Sequence, residues 1–437
     1  MITSKIPPRV IVHRTVLRAG LLLFIALFLA AIPAPHRASS QTSSAAASAP
    51  FTERPKIRAI TAFIKMDPDH YRTQVQQTLV FLRSASDAFK KAGYDVQGIR
   101  ITTQPFPEYA GYMTGGQAVT FFQDYDRLAT AQGFDTSIGP AMLNDKDDPR
   151  QAQLLAKILE NTTTLEGSVI IADADGIHWR AISAASRLIS EVAEHTPHSQ
   201  GNFRFAATAM LKSGTPFYPG SYYSGVGNQF ALALQSANVV DEVFRRSHDP
   251  VEAAHLLEQA LEIHVRVLDV TARSLTSTNW TYSGIDLSPA PLKEVSIGAA
   301  IEHFTGGPFG GSGTMTAAAT ITQALRAVPF AHVGYSGLML PVLEDSVLAQ
   351  RWGQGGVSLD ALLAYSSVCG TGLDTVPLPG DVTREQLDRI LGDVATEAFK
   401  LNKPLSARLL PVTGKKVGDH TEFSDPFLVN TTLQPLP

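Results

Sequence analysis

The sequence predicts an α/β fold built on a parallel sheet, and three observations predict it. Strand-like and helix-like stretches alternate along the first half of the chain, end signals mark long helices further on, and no heptad or internal repeat interrupts Lys56 to Pro437. A chain of 437 residues with 44% hydrophobic and 17% charged residues carries enough apolar surface to bury a sizeable core. Length suggests two or three domains, yet some α/β barrels run this long as one unit. One α/β domain over residues 56–437 is the simplest account.

The elements follow in order. IRAITAFI (57–64) is strand-like, and Asp69 to Lys91 repeats Val75, Leu79, Leu82 and Phe89 at helical spacing before the stop signal Gly93. VQGIRITT (96–103) reads as a second strand. The alternation returns with the strand SVIIADA (168–174), a helix from Ala181 to Ala193 and the strand FRFAATAML (203–211). Asp249-Pro250-Val251-Glu252 combines a cap residue, a proline at the first helical position and Glu three residues after the cap, so a capping box opens a helix that continues to Ser274. Thr383 and Gln386 open another, with Leu387, Ile390, Leu391 and Val394 on its apolar face.

The first forty residues set the compartment. Lys5, Arg9, Arg14 and Arg18 precede the apolar run Ala19 to Ile32, which suits a signal-peptide core and falls short of the roughly 20 residues a bilayer span needs. Small residues at Ala38 and Ser40 offer cleavage before Gln41. Residues 1–40 are therefore expected to be a signal peptide, residues 41–55 a flexible Ser/Ala linker, and the mature protein periplasmic or secreted. The competing reading leaves the segment uncleaved, as an anchor in the inner membrane with the domain facing the periplasm. Cys369 is the lone cysteine, so core packing rather than an intrachain disulfide must supply stability. A formal charge of −4 and the lack of a basic stripe argue against nucleic-acid partners.

Four places could carry chemistry. Gly310, Gly311, Ser312 and Gly313 lie just before the helix-like TAAATITQAL, where bared N–H groups can hold a phosphate or carboxylate, although the dinucleotide fingerprint spacing is absent and a tight packing turn explains the glycines equally. Lys415 and Lys416 lie between Gly414 and Gly418 after the strand-like SARLLPV, a paired ammonium site for an acidic ligand or a solvated turn. Cys369 and Asp374 share the Gly-rich stretch Val368 to Asp381, read as a loop; thiolate chemistry needs exposure and a neighbouring cation or base, and a buried apolar cysteine is the alternative. Asp286, Glu302 and the Glu344-Asp345 pair are acid–base or cation-binding candidates, but two adjacent residues of the helix-like PVLEDSVLAQ point about 100° apart and do not share a pocket. Arg408 is a charge within an apolar strand, which tends to be paired or to face a site because burying it alone is costly. No Cys/His spacing suggests a zinc site, so no metal is assigned.

YSGIDLSPAP (282–291), GYSGLMLPVLED (334–345), LLAYSSVCGTGLDTVPLPGD (362–381) and LNKPLSARLLPVTGKKVGDHTEF (401–423) together resemble the uncharacterised prokaryotic family called domain of unknown function 711. The resemblance implies the fold of glycyl-radical enzymes: a ten-stranded α/β barrel of two parallel five-stranded halves with a Cys-bearing loop inside. The C-terminal Arg-Val-x-Gly-Tyr/Phe radical loop of those enzymes is absent, VTGKKVGDH being the nearest turn, so no glycyl radical is expected and the family supplies no catalytic residues. The residues themselves point to an exported enzyme that works on a small anionic metabolite by acid–base or thiol chemistry in a barrel pocket. A non-catalytic periplasmic anion-binding protein is the alternative, and an assembly protein with a filled barrel ranks third. No cofactor is assigned, homo-oligomerisation stays open, and membrane contact is expected solely through an uncleaved signal segment.

Overall fold

A computed structural model describes residues 50–436. The expected signal peptide and most of the Ser/Ala tract lie outside the described residues. The chain enters β1 (Lys56–Phe63), α1 (Tyr71–Lys91), β2 (Ile99–Thr102), α2 (Pro107–Ala110), α3 (Gly115–Gln132), β3 (Asp135–Pro140), α4 (Arg150–Glu160), β4 (Leu165–Asp173), β5 (Gly176–Ile177), α5 (Trp179–His195) and β6 (Phe205–Ala209). It then returns through β7 (Asn228–Gln235), α6 (Ala237–Arg246), α7 (Pro250–Ser274), β8 (Trp280–Asp286), α8 (Ile297–Thr305), α9 (Thr314–Ala327), α10 (Ser346–Gly353), α11 (Leu359–Ser366), β9 (Gly372–Pro379), α12 (Arg384–Leu401) and β10 (Leu405–Val412). Residues just before β1, in the stretch expected as linker, are tied to α6: the backbone N–H groups of Thr52 and Glu53 each donate to Glu242 at 2.9 Å.

The strands form one mixed, ten-stranded sheet in the order β8-β7-β1-β2-β3-β4-β6-β10-β9, with β5 a short addition to β4. Five strands from β1 to β6 run parallel. The pairs β7/β8 and β9/β10 flank them antiparallel, one pair at each side. These four strands all run opposite to the first five, so the sheet holds one five-stranded parallel half and a second half of four strands in two separated pairs. Strand pairing leaves the sheet unclosed: the segment 331–341 touches β8 through an Ile285/His332 bridge and β9 through a Pro341/Asp374 bridge, without becoming a strand. Its backbone turns too sharply for a ladder, with left-handed conformations at Gly334 (φ 65°) and Ser336 (φ 41°).

The two faces of the sheet differ in chemistry. Alternation sends Ile101, Ile138, Phe205, Leu232, Ala407 and Leu409 into the main apolar core. The other face carries Thr61, Arg100, Thr102, Ser137, Ser406 and Arg408, and it is covered by two irregular segments. One is residues 210–227, where Tyr218 donates to the Ile101 carbonyl at 2.8 Å and Ser137 donates to the Ser221 carbonyl at 2.7 Å. The other is 331–341, whose Tyr335 and Met339 pack with Phe217 and Ala59.

Local signals settle most helix ends. Thr383 and Gln386 form the expected reciprocal box at α12, and Thr114 with Gln117 forms one at α3. At α7 only half of the expected box exists: Asp249 accepts from the Val251 and Glu252 N–H groups, while Glu252 accepts from the Ser247 hydroxyl at 2.7 Å. PVLEDSVLAQ is not one helix. Val342–Glu344 is a 3-10 turn and Asp345 caps α10. That buried carboxylate accepts from Val347 and Leu348 N–H at 3.0 Å each, and also from Ile297 N–H at 2.7 Å, Gly298 N–H at 3.2 Å and the Ser296 hydroxyl at 2.6 Å. It thus caps α8 and α10 together. Asp345→Ala leaves these donors buried without an acceptor and is expected to cost about 3 kcal/mol, read as a lower urea midpoint.

Candidate functional site

The polar face of the sheet is not wholly filled. Arg58 of β1, Arg100 of β2, Asp135 of β3 and Glu166 of β4 each project from the first residues of their strand into a cavity of about 470 Å3, joined by Asp374 of β9 and Arg408 of β10. Glu344, Arg204, Asp425, Tyr218, Phe203 and Phe427 complete much of its wall. The cavity lies at the N-terminal ends of the five parallel strands, the reverse of the usual site in open α/β sheets. The loop after β8 reaches it through Ala290, Pro291 and Leu292.

Arg408 is the organising cation. Its Nε donates to Asp374 at 2.5 Å and a terminal nitrogen donates to Glu344. Burial works against its charge, but Asp374 and Glu344 outweigh that and raise its pKa, whereas burial lifts the Asp374 carboxyl above the usual carboxylate range against the pull of Arg408. A β-bulge makes the contact. Leu373 pairs with Ala407 and Val376 with Leu409, so Asp374 and Thr375 together oppose Arg408, and Thr375 adopts φ 45°. A left-handed β-branched residue is strained, and such strain clusters at functional sites.

Arg58 and Arg100 are held differently. The Arg58 guanidinium lies 5.1 Å from the Phe427 ring centre and 3.7 Å from Glu344. Burial and neighbouring Arg100 lower its pKa. Arg100 lies 4.5 Å over the Tyr218 ring and 3.7 Å from Asp135, and its buried Nε has no hydrogen-bond partner among the described residues. Aromatic planes back both cations; Arg58 donates one long bond to Gln97 at 3.5 Å, so further donors of the two guanidiniums suit capture of an oxyanion. Arg204 is already committed, donating to the carbonyls of Leu159 at 2.6 Å and Leu165 at 3.0 Å.

Glu166 differs from the other acids. No hydrogen bond or ion pair reaches its carboxyl among the described residues, and burial pushes its pKa up to about 8, with Arg100 opposing. A carboxyl titrating near neutrality can donate or accept a proton at working pH.

The structure brings together three of the residues singled out from the sequence, Glu344, Asp374 and Arg408. Asp374 stands on a strand, not on the expected loop. Cys369 is fully buried outside this cavity, and its carbonyl accepts from the Lys403 ammonium. Asp286 accepts from the N–H groups of Ser288, Tyr335 and Ser336 at 3.0, 2.8 and 3.0 Å, anchoring the segment 331–341 to β8. Glu302 pairs with Arg351 at 2.6 Å and accepts from Phe309 N–H at 2.9 Å. Gly310 has φ 95° and a Cβ there would lie 2.1 Å from the Gly356 carbonyl oxygen; Gly311, Ser312 and Gly313 are exposed, Gly313 capping α9. Lys415 pairs with Glu422 at 3.0 Å and Lys416 is exposed. Among the described residues no group of three or more His, Cys, Asp or Glu is arranged to hold a metal ion. Arg58 and Arg100 are charges inside strand-like runs, the signal that singles out Arg408, whereas Glu166 precedes the strand-like run 168–174 and carries no such signal.

The family described as Uncharacterised ACR (DUF711) matches residues 51–424. The chain belongs to this family. A UPF0210 protein of Pyrobaculum aerophilum is 34% identical over 284 residues, a match spanning 62% of each chain. One from Pyrobaculum arsenaticum is 30% identical over 354 residues, spanning 77% of this chain and 78% of its own, and one from Neisseria gonorrhoeae is 28% identical over 351, spanning 76% and 77%. The family match runs through β1 to β10; the family's description assigns no reaction.

Because the folded pKa of Glu166, about 8, lies above its ordinary value of 4.5, ionising it opposes folding. The folded state holds this proton where the unfolded state has lost it, so stability present below pH 4.5 falls as pH rises through about 8. Glu166→Gln removes the effect. Melting curves at pH 5 and pH 8 are expected to show the variant gaining several degrees on the wild type at the higher pH.

Proposed function

We propose that this protein is an exported enzyme that binds a small anionic metabolite in the charged cavity and transforms it by acid–base chemistry. The observation carrying the reading is the pairing of two aromatic-backed arginines, Arg58 and Arg100, the second with a buried Nε that has no hydrogen-bond partner, with Glu166, a carboxyl without a partner among the described residues, in one cavity of about 470 Å3. That volume suits a small ligand. Asp374 and Arg408 act as the rigid wall that keeps Arg58 and Glu344 in place. The thiol form of the reading loses support, since Cys369 has no exposed surface and thiolate chemistry requires access. The Gly310–Gly313 turn and Lys415 with Lys416 are read as structural or solvated features.

Export rests on the basic residues Lys5 to Arg18, the apolar run Ala19 to Ile32 and the small residues before Gln41. Among the described residues no helix is long and apolar enough to cross a membrane. The barrel reading takes the segment 331–341 as the seam between β8 and β9, enclosing the polar face; the two single bridges support it.

Native mass spectrometry of the mature protein with a metabolite extract tests the proposal. A retained small anion that is converted on incubation is the expected outcome, and a ligand returned unchanged would make the protein a binder instead. Arg58→Ala with Arg100→Ala is expected to weaken retention at least 100-fold, since each lost charge-assisted pair is worth about 1.5–3 kcal/mol. Cys369→Ala should leave both retention and conversion intact, and loss of conversion in a folded Cys369→Ala protein would restore the thiol mechanism.

A further inference from the structure

The side chains around the cavity narrow the chemistry further, on the understanding that it is an anion site as proposed above. Covalent catalysis requires a nucleophile with a base beside it. Among the described residues no serine, cysteine, histidine or lysine lines the cavity. The hydroxyls of Thr163 and Thr164 are spent on Asp126 at 3.1 and 2.7 Å, and that of Tyr218 donates to the Ile101 carbonyl. What remains is carboxylates and guanidiniums.

Four of the five carboxylates are engaged. Asp374 and Glu344 hold Arg408, Asp135 faces Arg100, and Asp425 accepts from Phe427 N–H at 2.9 Å. Glu166 is the one that no hydrogen bond or ion pair reaches among the described residues, in a cavity where the buried Arg100 Nε also has no hydrogen-bond partner.

We infer that Glu166 is the proton-transfer residue of a reaction at the carbon next to a substrate carboxylate, and that the substrate class is a small carboxylate with an exchangeable α-hydrogen. Arg58 and Arg100 grip the carboxylate. The C–H bond breaks, its proton passes to a Glu166 oxygen, and the electron pair left on carbon spreads into the carboxylate as an enediolate. The guanidiniums hold the added negative charge, which develops as the bond breaks and so is stabilised more in the transition state than in the bound substrate. Return of the proton to the same carbon regenerates substrate; in a β,γ-unsaturated substrate, return to the γ-carbon moves the double bond and gives an isomer. Neither outcome needs an oxidant, a reductant or a second substrate.

The test uses the folded protein in D2O with lactate, malate, tartrate, alanine and glutamate as probes. Binding is measured by calorimetry and loss of the α-proton signal by NMR. The expected result is that at least one bound probe exchanges its α-hydrogen, at a rate that rises with pH as Glu166 ionises. Glu166→Gln should slow exchange about 100-fold or more while leaving the dissociation constant within about threefold. Arg100→Lys should weaken binding instead. Equal exchange by Glu166→Gln, or bound probes that all keep their protons, overturns the inference and leaves the anion site standing. Binding of none of the probes overturns the site and the inference together.

Discussion

Everything around the cavity depends on neutralising Arg408. A guanidinium on the inward face of a strand is far from bulk water, and isolated burial of such a charge costs several kcal/mol unless carboxylates meet it. Here two do, from separate parts of the chain: Asp374 on the neighbouring strand and Glu344 on a 3-10 turn. The ion triad therefore joins β10, β9 and the end of the segment 331–341, where ordinary strand pairing supplies a single bridge. The bulge at Asp374 and Thr375 is the geometric condition for it. Without the extra residue, the alternation of β9 would not present Asp374 to Arg408, and the left-handed conformation at Thr375 is held by the packing around it, including Leu343 N–H donating to its hydroxyl at 3.2 Å.

The acids of this protein sort by what they accept. Asp345, Asp286 and Asp126 are buried and saturated by backbone N–H groups, so each locks two segments together: α8 to α10, β8 to the segment 331–341, and α3 to the turn before β4. A carboxylate so occupied has no lone pair left for a substrate. Glu166 lies at the other extreme, desolvated yet unoccupied, and its pKa rises to about 8 for that reason. The contrast separates structural from chemical roles more sharply than residue type does.

The cavity's place at the N-terminal ends of the parallel strands also has a physical basis. The C-terminal ends are capped by the segment 210–227, where Thr102, Ser137, Tyr218 and Ser221 are linked by hydrogen bonds that continue to the Ile101 and Thr215 carbonyls. Charged strand residues stand toward the opposite end, where Phe217 and Tyr218 of that plug form part of the cavity wall. The antiparallel pairs β7/β8 and β9/β10 bring their C-terminal ends to this side, so loops after both halves of the chain contribute to one wall.

The family resemblance was legible in the motifs after Thr281, and the local elements with strong signals were legible too: β1, α1, β4, α5, α7, α9, α12 and β10 follow from apolar spacing and cap residues that act within a few positions. Weaker elements such as β3, which holds Gly139 and ends at Pro140, carry no such pattern and take their strand form from β2 and β4 on either side. The site was half legible. Arg408 could be marked because a charge within an apolar strand is costly and Asp374 because it lies beside Cys369 in a Gly-rich stretch, and the reasoning for Arg408 extends to Arg58 and Arg100 in the first two strand-like runs. What no local pattern contains is pairing across the sheet. Whether a buried carboxylate meets an N–H, a guanidinium or nothing depends on strand order, a bulge and two irregular segments, and those are contacts between residues far apart in the chain. The sequence by itself determined the family, the alternating elements and the charges in the first strand-like runs; only the tertiary structure decided which charges cancel and that Glu166 is left without a partner among the described residues, because those are contacts between distant parts of the chain.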